Sequence, residues 1–286
     1  MRLCSSCGEA FDSVDWRCPA CGHEPRTLNG YLAFAPELAS QHEGFEAEFF
    51  PKLFELEGNN FWFRARNRLL VWALRKYFPE ARNLLEIGCG TGYVLSGIRD
   101  AFPGLSLRGS EIYAAGLSLA AERLPGVELF QMDAEHIPFK EEFDVIGAFD
   151  VLEHIEHDEA VLAQMFQAIR PGGGLILTVP HHPFLWSQAD DYAHHVRRYT
   201  TRELRDKVHR SGFETTRVTS FVSLLLPLMF LSRLRQRKNY DPMSEFRIGP
   251  VVNAVFEKTL RVEQMMIRAG LSFPLGGSLL LVARRK

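Results

Sequence analysis

The stretch LLEIGCGTGYVL, residues 84–95, decides the fold that this sequence predicts. Apolar residues typical of a buried strand run directly into glycines at positions 88, 90 and 92, and helical spacing follows. Glycine lets the backbone turn sharply and lets a ligand approach the main chain. The spacing G-x-G-x-G differs from the dinucleotide pattern G-x-G-x-x-G. The loop alone is therefore consistent with a nucleotide-like ligand or with a tight strand–helix turn.

Strand-like runs alternate with helical stretches from this motif onward, which indicates an α/β fold with a parallel sheet. Helical spacing is also expected upstream, at about 45–56 and 61–77. Seven strands are predicted, at residues 84–87, 105–110, 127–130, 143–149, 174–179, 213–220 and 278–283.

Acidic residues lie in or follow the first three of these strands. Glu86 lies just before the glycines, Glu111 ends the next strand and Asp133 follows the third. Each of them alone would be explained as a solvated loop residue. The carboxyl ends of parallel strands meet at one edge of the sheet, so together they predict a site that accepts hydrogen bonds from ribose hydroxyls and an exocyclic amine.

With this glycine loop and these acidic residues, the sequence resembles the class I S-adenosylmethionine-dependent methyltransferases. Residues 86–92 match their first motif, while FDVIGAFDVLEHI (143–155) and IRPGGGLILTVP (169–180) match the motifs of the fourth and fifth strands. The resemblance covers roughly residues 60–220. It implies a Rossmann-like, mostly parallel seven-stranded sheet whose last strand is antiparallel. It further implies that S-adenosylmethionine is bound by Glu86, Gly88, Cys89, Gly90, Gly92, Glu111, Ile112, Asp133, Ala134, Asp150 and Arg66.

Two of these residues have a second interpretation. A sulfonium methyl is already activated, so no covalent nucleophile is needed, and we expect Cys89 to be a packed loop residue. Arg66 lies in NNFWFRARNRLLVWAL (59–74), where arginines recur at every second position. It belongs either to a solvated helix face or to an FWF-x-x-R element, similar to one in related methyltransferases, that reaches the carboxylate of the cofactor.

A histidine-rich segment, HHPFLWSQADDYAHHVRRYT (181–200), follows the fifth strand. It predicts either a polar lid or the acceptor pocket, and His195 is the favoured general base or acceptor-orienting residue because imidazole titrates near neutral pH. His154 is the second candidate catalytic residue. Asp150, Glu153 and His154 resemble the metal-binding Glu-x-x-Glu-His of small-RNA and quinone methyltransferases, but Asp stands at the first position. We favour the interpretation that they line the region around the cofactor and the methyl group.

Four of the five cysteines fall in the first 21 residues, as Cys4-x-x-Cys7 and Cys18-x-x-Cys21. This spacing predicts a small zinc ribbon with four thiolate ligands to Zn²⁺, in a protein of the reducing cytoplasm. The module is expected to be structural. Binding of RNA or of a carrier is the alternative, since a family of rRNA guanine methyltransferases has a similar layout.

Residues 221–275 form an apolar insertion before the last strand. The segment SFVSLLLPLMFLSRLRQRK (220–238) is too short and too interrupted to span a bilayer, which takes about 20 apolar residues. An apolar run beside a basic flank predicts peripheral membrane contact through 221–238. A core or dimer helix cap is the alternative, and residues 251–270 have the spacing of a helix that could pack against it.

The chain has 286 residues, 46% of them hydrophobic, with 33 Lys and Arg against 35 Asp and Glu. This is globular composition with no global basic field for nucleic acid. We predict a zinc-ribbon module (1–25), an N-terminal helical segment (26–80) and a methyltransferase domain (81–286). The expected function is O-methylation of a small or lipid-linked acceptor of quinone, polyprenol or glycan type. The alternatives are an RNA methyltransferase and a non-catalytic cofactor-binding adaptor, and no oligomeric state is indicated.

Overall fold

The computed structural model describes residues 1–13, 15–39, 49–233 and 246–286. Its strands are β1 (Arg2–Leu3), β2 (Ala10–Phe11), β3 (Arg26–Leu28), β4 (Tyr31–Ala33), β5 (Asn83–Ile87), β6 (Ser106–Glu111), β7 (Glu128–Gln131), β8 (Phe143–Phe149), β9 (Ile169–Pro180), β10 (Phe213–Phe221) and β11 (Ser278–Arg285). Its α-helices are α1 (Phe49–Leu56), α2 (Phe61–Tyr77), α3 (Tyr93–Ala101), α4 (Ala114–Arg123), α5 (Asp158–Ala168), α6 (Gln188–Tyr192), α7 (Thr201–Arg210), α8 (Leu226–Arg233) and α9 (Pro250–Arg268).

The central sheet has the strand order β10-β11-β9-β8-β5-β6-β7-β4-β3. Strands β5 to β9 are parallel to one another, and β11 inserts antiparallel between β9 and β10. The predicted Rossmann-like α/β fold with an antiparallel last strand is confirmed. The strand order reverses at β5, so the loops after β5 and β8 open a crevice at the carboxyl edge of the sheet.

Two further strands extend the predicted seven-stranded sheet. Strand β4 pairs parallel with β7, and β3 pairs antiparallel with β4. The expectation of a helical segment over 26–80 is wrong for its first eight residues, because β7 leaves an edge whose backbone groups need partners. The Gln131 side chain completes the pairing by bonding both the N–H and the C=O of Ala35. Strands of three residues are too short to show a clear hydrophobic period.

The sheet is buried on both faces. Leu69, Leu95 and Leu280 belong to the apolar cluster on one face, and Leu85, Leu162 and Leu204 to the cluster on the other. All six side chains are almost completely removed from solvent. Burial of this kind is the main stabilising contribution to the fold, at roughly 1.5–3 kcal/mol for each large apolar side chain. It makes the sheet a rigid platform for the loops at its edge.

The insertion forms helices α8 and α9. Helix α9 packs mainly on α2, where Glu257 pairs with Arg64 and Arg68, and where Gln264 donates to the C=O of Ala65. It also touches the segment that leads into α8, because Glu263 accepts hydrogen bonds from the N–H groups of residues 222–224. Within the described ranges, no helix is both long enough and apolar enough to cross a bilayer.

Candidate active site

The glycine loop lies between β5 and α3 and requires its glycines. Gly88 has φ +65°, and a Cβ there would stand 2.5 Å from a methyl carbon of Val151. Gly92 has φ +73° and would meet Leu124 at 2.6 Å. These backbone conformations strain any residue with a side chain. The turn therefore brings the main chain of residues 88–92 close to the crevice.

Glu111, at the end of β6, holds this loop in place. Its carboxylate accepts hydrogen bonds from the N–H groups of Gly90 (2.9 Å), Ile112 (2.9 Å) and Tyr113 (3.2 Å). Burial raises the pKa of this carboxyl, and the three N–H groups oppose the shift. A carboxylate has about four acceptor positions, so one remains for a hydroxyl group. The predicted ribose-binding acid is thus also the anchor of the glycine loop.

Glu86, just before the glycine loop, and Cys89, within it, are both buried. Glu86 is 2% exposed, and its Oε2 atom has no hydrogen-bond partner among the described residues. Burial raises the pKa of Glu86 well above its usual range. Burial and the neighbouring carboxylates also raise the pKa of the Cys89 thiol, which disfavours a nucleophilic thiolate. An unpartnered buried carboxyl below a glycine turn fits a polar cofactor such as S-adenosylmethionine.

Asp133 and Ala134 follow β7 at the same edge. The Asp133 carboxylate caps its own turn by accepting from the N–H of Glu135 at 2.9 Å, and it contacts Nδ1 of His136 at 2.8 Å. Ala134 is buried, while the C=O of Ile112 accepts from Gln131. Three predicted cofactor contacts, Ile112, Asp133 and Ala134, thus lie at the strand ends beside Glu111.

Arg66 and Asp150 form an ion pair across the crevice. Arg66 is 9% exposed and its guanidinium lies over the ring of Trp62 at 4.5 Å, so the interpretation as a solvated helix face is wrong for this arginine. Asp150 has φ +60°, a strained conformation for a residue with a side chain. The pair closes the crevice between α2 and the end of β8.

Sequence reasoning missed a second anchor of the glycine loop. The Glu57 carboxylate, after α1, accepts from the hydroxyl of Thr91 at 2.7 and 2.8 Å and pairs with Arg123 at 2.7 Å. Arg123 also donates to the C=O of Thr91. Glu57 and Thr91 are 34 residues apart, and no motif links them.

On the other side of the crevice, His195 is held by a buried carboxylate. Asp190 Oδ1 accepts from His195 Nδ1 at 2.9 Å and from Arg198 Nε at 2.7 Å. Burial raises the pKa of Asp190, but the hydrogen bonds and charges of His195, Arg198 and Arg233 outweigh it and bring the pKa to about 2. The ionised carboxylate fixes the imidazole and leaves Nε2 directed toward Glu153, 4.0 Å from its Oε1.

His154 and Glu153 come from the short 3₁₀ turn after β8 and face His195. The rings of His154 and His195 lie 4.8 Å apart at 79°. Burial and the neighbouring His195 lower the pKa of His154 to about 3. Burial and the charge of Asp150 raise the pKa of Glu153 well above its usual range. The two predicted catalytic histidines, 41 residues apart in the sequence, are neighbours in the fold.

The cysteine module consists of two similar turns beside the hairpin β1–β2. The N–H of Gly8 bonds the C=O of Cys4, and the N–H of Gly22 bonds the C=O of Cys18. The four Sγ atoms lie within 4.8 Å of one another, with separations of 3.6 Å (Cys4–Cys21) and 3.7 Å (Cys7–Cys18). Tetrahedral zinc with Zn–S bonds of about 2.3 Å places its sulfurs about 3.8 Å apart. The donor set and its dimensions therefore fit zinc.

This module is docked on the edge of the domain. The amino group of Met1 pairs with Glu142 at 2.7 Å. The Trp16 ring packs edge-on against Phe34 and Phe139, with centroids at 4.6 and 5.4 Å. Such packing is typical of a structural element.

A family model described as a methyltransferase domain matches residues 54–218, more than half of the chain. The chain belongs to this methyltransferase family. The matched range contains the glycine loop, Glu111, Asp133 and the cluster around His195. The expected membership among the S-adenosylmethionine-dependent methyltransferases is confirmed at this level.

Two curated methyltransferases are similar to this chain. Phthiotriol/phenolphthiotriol dimycocerosates methyltransferase 1 of Mycobacterium ulcerans is 32% identical over 148 residues, 50% of this chain and 54% of that protein. A probable S-adenosylmethionine-dependent methyltransferase of Mycolicibacterium smegmatis is 26% identical over 162 residues, 56% of this chain and 62% of that protein. The chain thus spans between half and two thirds of the length of these relatives.

Solved structures share the fold. An S-adenosylmethionine-dependent methyltransferase of Thermotoga maritima has a TM-score of 0.53 at 18% identity, and the match covers 84% of this chain and 95% of that one. Phosphoethanolamine N-methyltransferase 2 of Haemonchus contortus, solved with S-adenosylmethionine, has a TM-score of 0.51 at 18% identity, covering 76% of this chain and 52% of that one. At this identity the likeness shows the fold alone.

Proposed function

We propose that this methyltransferase transfers the methyl group of S-adenosylmethionine to an oxygen of a small or lipid-linked acceptor. The Asp190–His195 pair supports the proposal, because His195 faces Glu153 in the turn after β8, and Val151, at the start of that turn, packs against Gly88 of the glycine loop. Gly88, Glu111 and Asp133 hold the cofactor on one side. The acceptor binds on the other, between His154 and His195.

The chemistry needs alignment more than activation. The sulfonium carbon is attacked in line by the acceptor oxygen, the C–S bond breaks and S-adenosylhomocysteine leaves. The hydroxyl proton must be lost during this step. His195 Nε2 is the group that orients the hydroxyl or accepts its proton, since Asp190 already occupies Nδ1.

An apolar acceptor fits the surroundings of this pair. Helix α8 has no buried residue, and Leu228 and Leu231 are 53% and 60% exposed. Its last residue, Arg233, contacts Asp190 at 3.5 Å and donates to the C=O of Leu185. An exposed apolar helix is thus tied directly to the residues that hold His195. The Mycobacterium ulcerans relative is named for a lipid acceptor, which is consistent with a lipid-linked acceptor here.

The same helix supports the prediction of peripheral membrane contact through residues 221–238. The large apolar side chains exposed in the described part of this segment are those of Leu224, Leu228, Phe230 and Leu231. The basic residues Arg235, Arg237 and Lys238 lie outside the described residues. An apolar surface beside basic residues favours the headgroup region of an anionic bilayer.

We further propose that Cys4, Cys7, Cys18 and Cys21 bind one structural Zn²⁺. The spacing of their sulfurs supports this, as does the docking of the module through Met1 and Trp16. The zinc would stabilise a segment too small to fold alone. Its packing against the domain through Met1 and Trp16 favours a structural role over recognition of RNA.

The test is incubation of the purified protein with a cell extract and S-adenosylmethionine that carries a labelled methyl group. The mixture is then separated into lipid, small-molecule and RNA fractions, and label is counted above that of the extract alone. We expect label in the lipid or small-molecule fraction, and none with Gly90→Arg protein. Label in RNA, with a salt-sensitive complex that is lost in Cys4→Ser, would overturn the acceptor class. Absence of label from every fraction, although the cofactor binds, would favour the non-catalytic adaptor.

A further inference from the structure

The acceptor side of the crevice contains a cluster of one carboxyl group and two imidazoles that do not all have hydrogen-bond partners among the described residues. Glu153, His154 and His195 each offer one ligand atom, and these atoms all lie within 4.8 Å of one another. The backbone holds the two loops together, because the N–H of Val196 donates to the C=O of Glu153 at 2.8 Å. The three side chains therefore meet as a consequence of the fold.

Two atoms of this cluster are buried without a partner. Glu153 is 1% exposed, and neither its Oε2 nor His154 Nδ1 has a hydrogen-bond partner within the part of the chain that the structure describes. A buried polar group left unpaired destabilises the folded protein, because it has lost its hydrogen bonds to water. A cation between these atoms would satisfy the carboxylate and the imidazole lone pair together.

The third group is already oriented as a ligand. Asp190 binds His195 Nδ1, so its Nε2 lone pair faces Glu153. Metal-binding histidines almost always present this arrangement, in which the outer nitrogen is held by a carboxylate or a carbonyl. Ser187 and Arg198 in turn bond Asp190.

This set differs from the one considered from the sequence. Asp150 is occupied by Arg66, and His195 takes its place beside Glu153 and His154.

We propose that Glu153, His154 and His195 bind one divalent transition-metal ion. Two imidazoles and one carboxylate favour Mn²⁺, Fe²⁺, Co²⁺ or Zn²⁺ over Mg²⁺ and Ca²⁺, which prefer oxygen ligands. The inference deepens the proposed function and rests on it for the role of the ion. Three protein ligands would leave positions open for the acceptor oxygen. The ion would lower the pKa of the acceptor hydroxyl, so that its proton passes to solvent water and the oxygen is left free to attack the methyl carbon. His195 would then be a metal ligand that positions the acceptor.

The experiment uses full-length protein loaded with one Zn²⁺ per chain, so that the four thiolates of the cysteine module are filled while the proposed site is left for Mn²⁺. Mn²⁺ is titrated in, and the free ion is followed by electron paramagnetic resonance. We expect one Mn²⁺ per chain, with nitrogen hyperfine coupling from imidazole. Affinity should fall at least tenfold in Glu153→Gln and in His195→Asn, and about 10–100-fold in Asp190→Asn, which alters only the outer partner.

Matched controls are the exposed neighbours, in Glu156→Gln and His157→Asn, which should bind Mn²⁺ as the wild type does. Thermal unfolding of each variant checks that it is folded. The proposal is overturned if the folded wild type retains no Mn²⁺, or if Glu153→Gln and His195→Asn bind it equally well. Binding of S-adenosylhomocysteine is measured in the same samples. If it binds, and methyl transfer continues in the presence of a chelator, the metal proposal fails and the proposed function stands.

Discussion

The two sides of the crevice are built in different ways. On the cofactor side, backbone N–H groups satisfy Glu111, and the loop is fixed by its glycines. On the acceptor side, side chains from separate loops meet, and Glu153 and His154 keep unpartnered buried atoms, counting partners only among described residues. Backbone geometry thus prepares a site for one particular cofactor. On the proposed acceptor side, the unpartnered atoms of Glu153 and His154 are available to a ligand.

The Gly90→Arg variant should abolish ligand binding on the cofactor side and leave it unchanged on the acceptor side. Gly90→Arg places a long side chain at φ +52° in the cofactor turn, so binding of S-adenosylhomocysteine should be abolished while Mn²⁺ binding persists. Calorimetry measures both. The control is Gly104→Arg, at an exposed turn where a Cβ would meet nothing within 4 Å. Unchanged affinity in Gly90→Arg would show that the cofactor does not approach this turn.

The His195→Asn variant should have the opposite effect: it should lose methyl transfer and keep cofactor binding. We expect methyl transfer to slow by about 10²–10⁴-fold, because the group that orients or deprotonates the acceptor is lost. Affinity for S-adenosylhomocysteine should stay that of the wild type. The rate is measured as incorporation of labelled methyl into the fraction of the extract that the wild type labels. The control is His209→Asn, on the exposed face of α7. An equal rate in His195→Asn would remove this histidine from the reaction.

A smaller effect sharpens the account of the cofactor side. Glu111→Ala should weaken cofactor binding by about 1–3 kcal/mol through lost hydrogen bonds to the ribose and to the loop. Calorimetric titration measures this, and Glu128→Ala, which removes an exposed carboxylate on β7, is the control. If Glu111 binds ribose, the wild type should bind the 2′,3′-dideoxy cofactor more weakly than the ordinary cofactor. The Glu111→Ala variant should bind both cofactors with the same affinity. Equal affinity of the wild type for both cofactors would contradict the assignment.

The smallest effect concerns a buried histidine next to the acceptor side. His181 bonds Ser220 and Thr201, and burial lowers its pKa to about 3, below the ordinary value of 6.5. The unfolded chain therefore binds more protons below pH 6.5, so stability from neutral His181 is present above that pH and is lost as pH falls.

The measurement is urea unfolding of wild type and His181→Asn at pH 7.5 and 5.5. The wild type should lose about 1 kcal/mol more than the variant between these values. Comparing the two proteins removes the opposite contribution of Glu86 and Glu153, whose raised pKa favours the folded state at low pH. His209→Asn controls for loss of an imidazole. Identical pH dependence in wild type and His181→Asn would mean that His181 can be protonated in the folded protein.

The sequence determined the two sides of the crevice to different extents. The cofactor side was predictable because residues 84–95 are contiguous, and because acids after successive parallel strands must meet at one edge. The pairing of Asp190 with His195 was not, since the segment 181–200 offers several acids and histidines at similar spacing. Glu57, Thr91 and Arg123 were missed for a related reason: their contact depends on how α1 and α4 pack. The pair β3–β4 exists because β7 offers an edge, which no local pattern encodes.

We infer that residues 88–92, with Glu111 and Asp133, hold S-adenosylmethionine. Titration of S-adenosylhomocysteine into purified wild-type protein in a calorimeter measures this binding. We expect saturable binding of one molecule per chain. Folded protein that gives no binding heat, and whose unfolding temperature does not rise with either cofactor form, would show that these residues do not bind the cofactor.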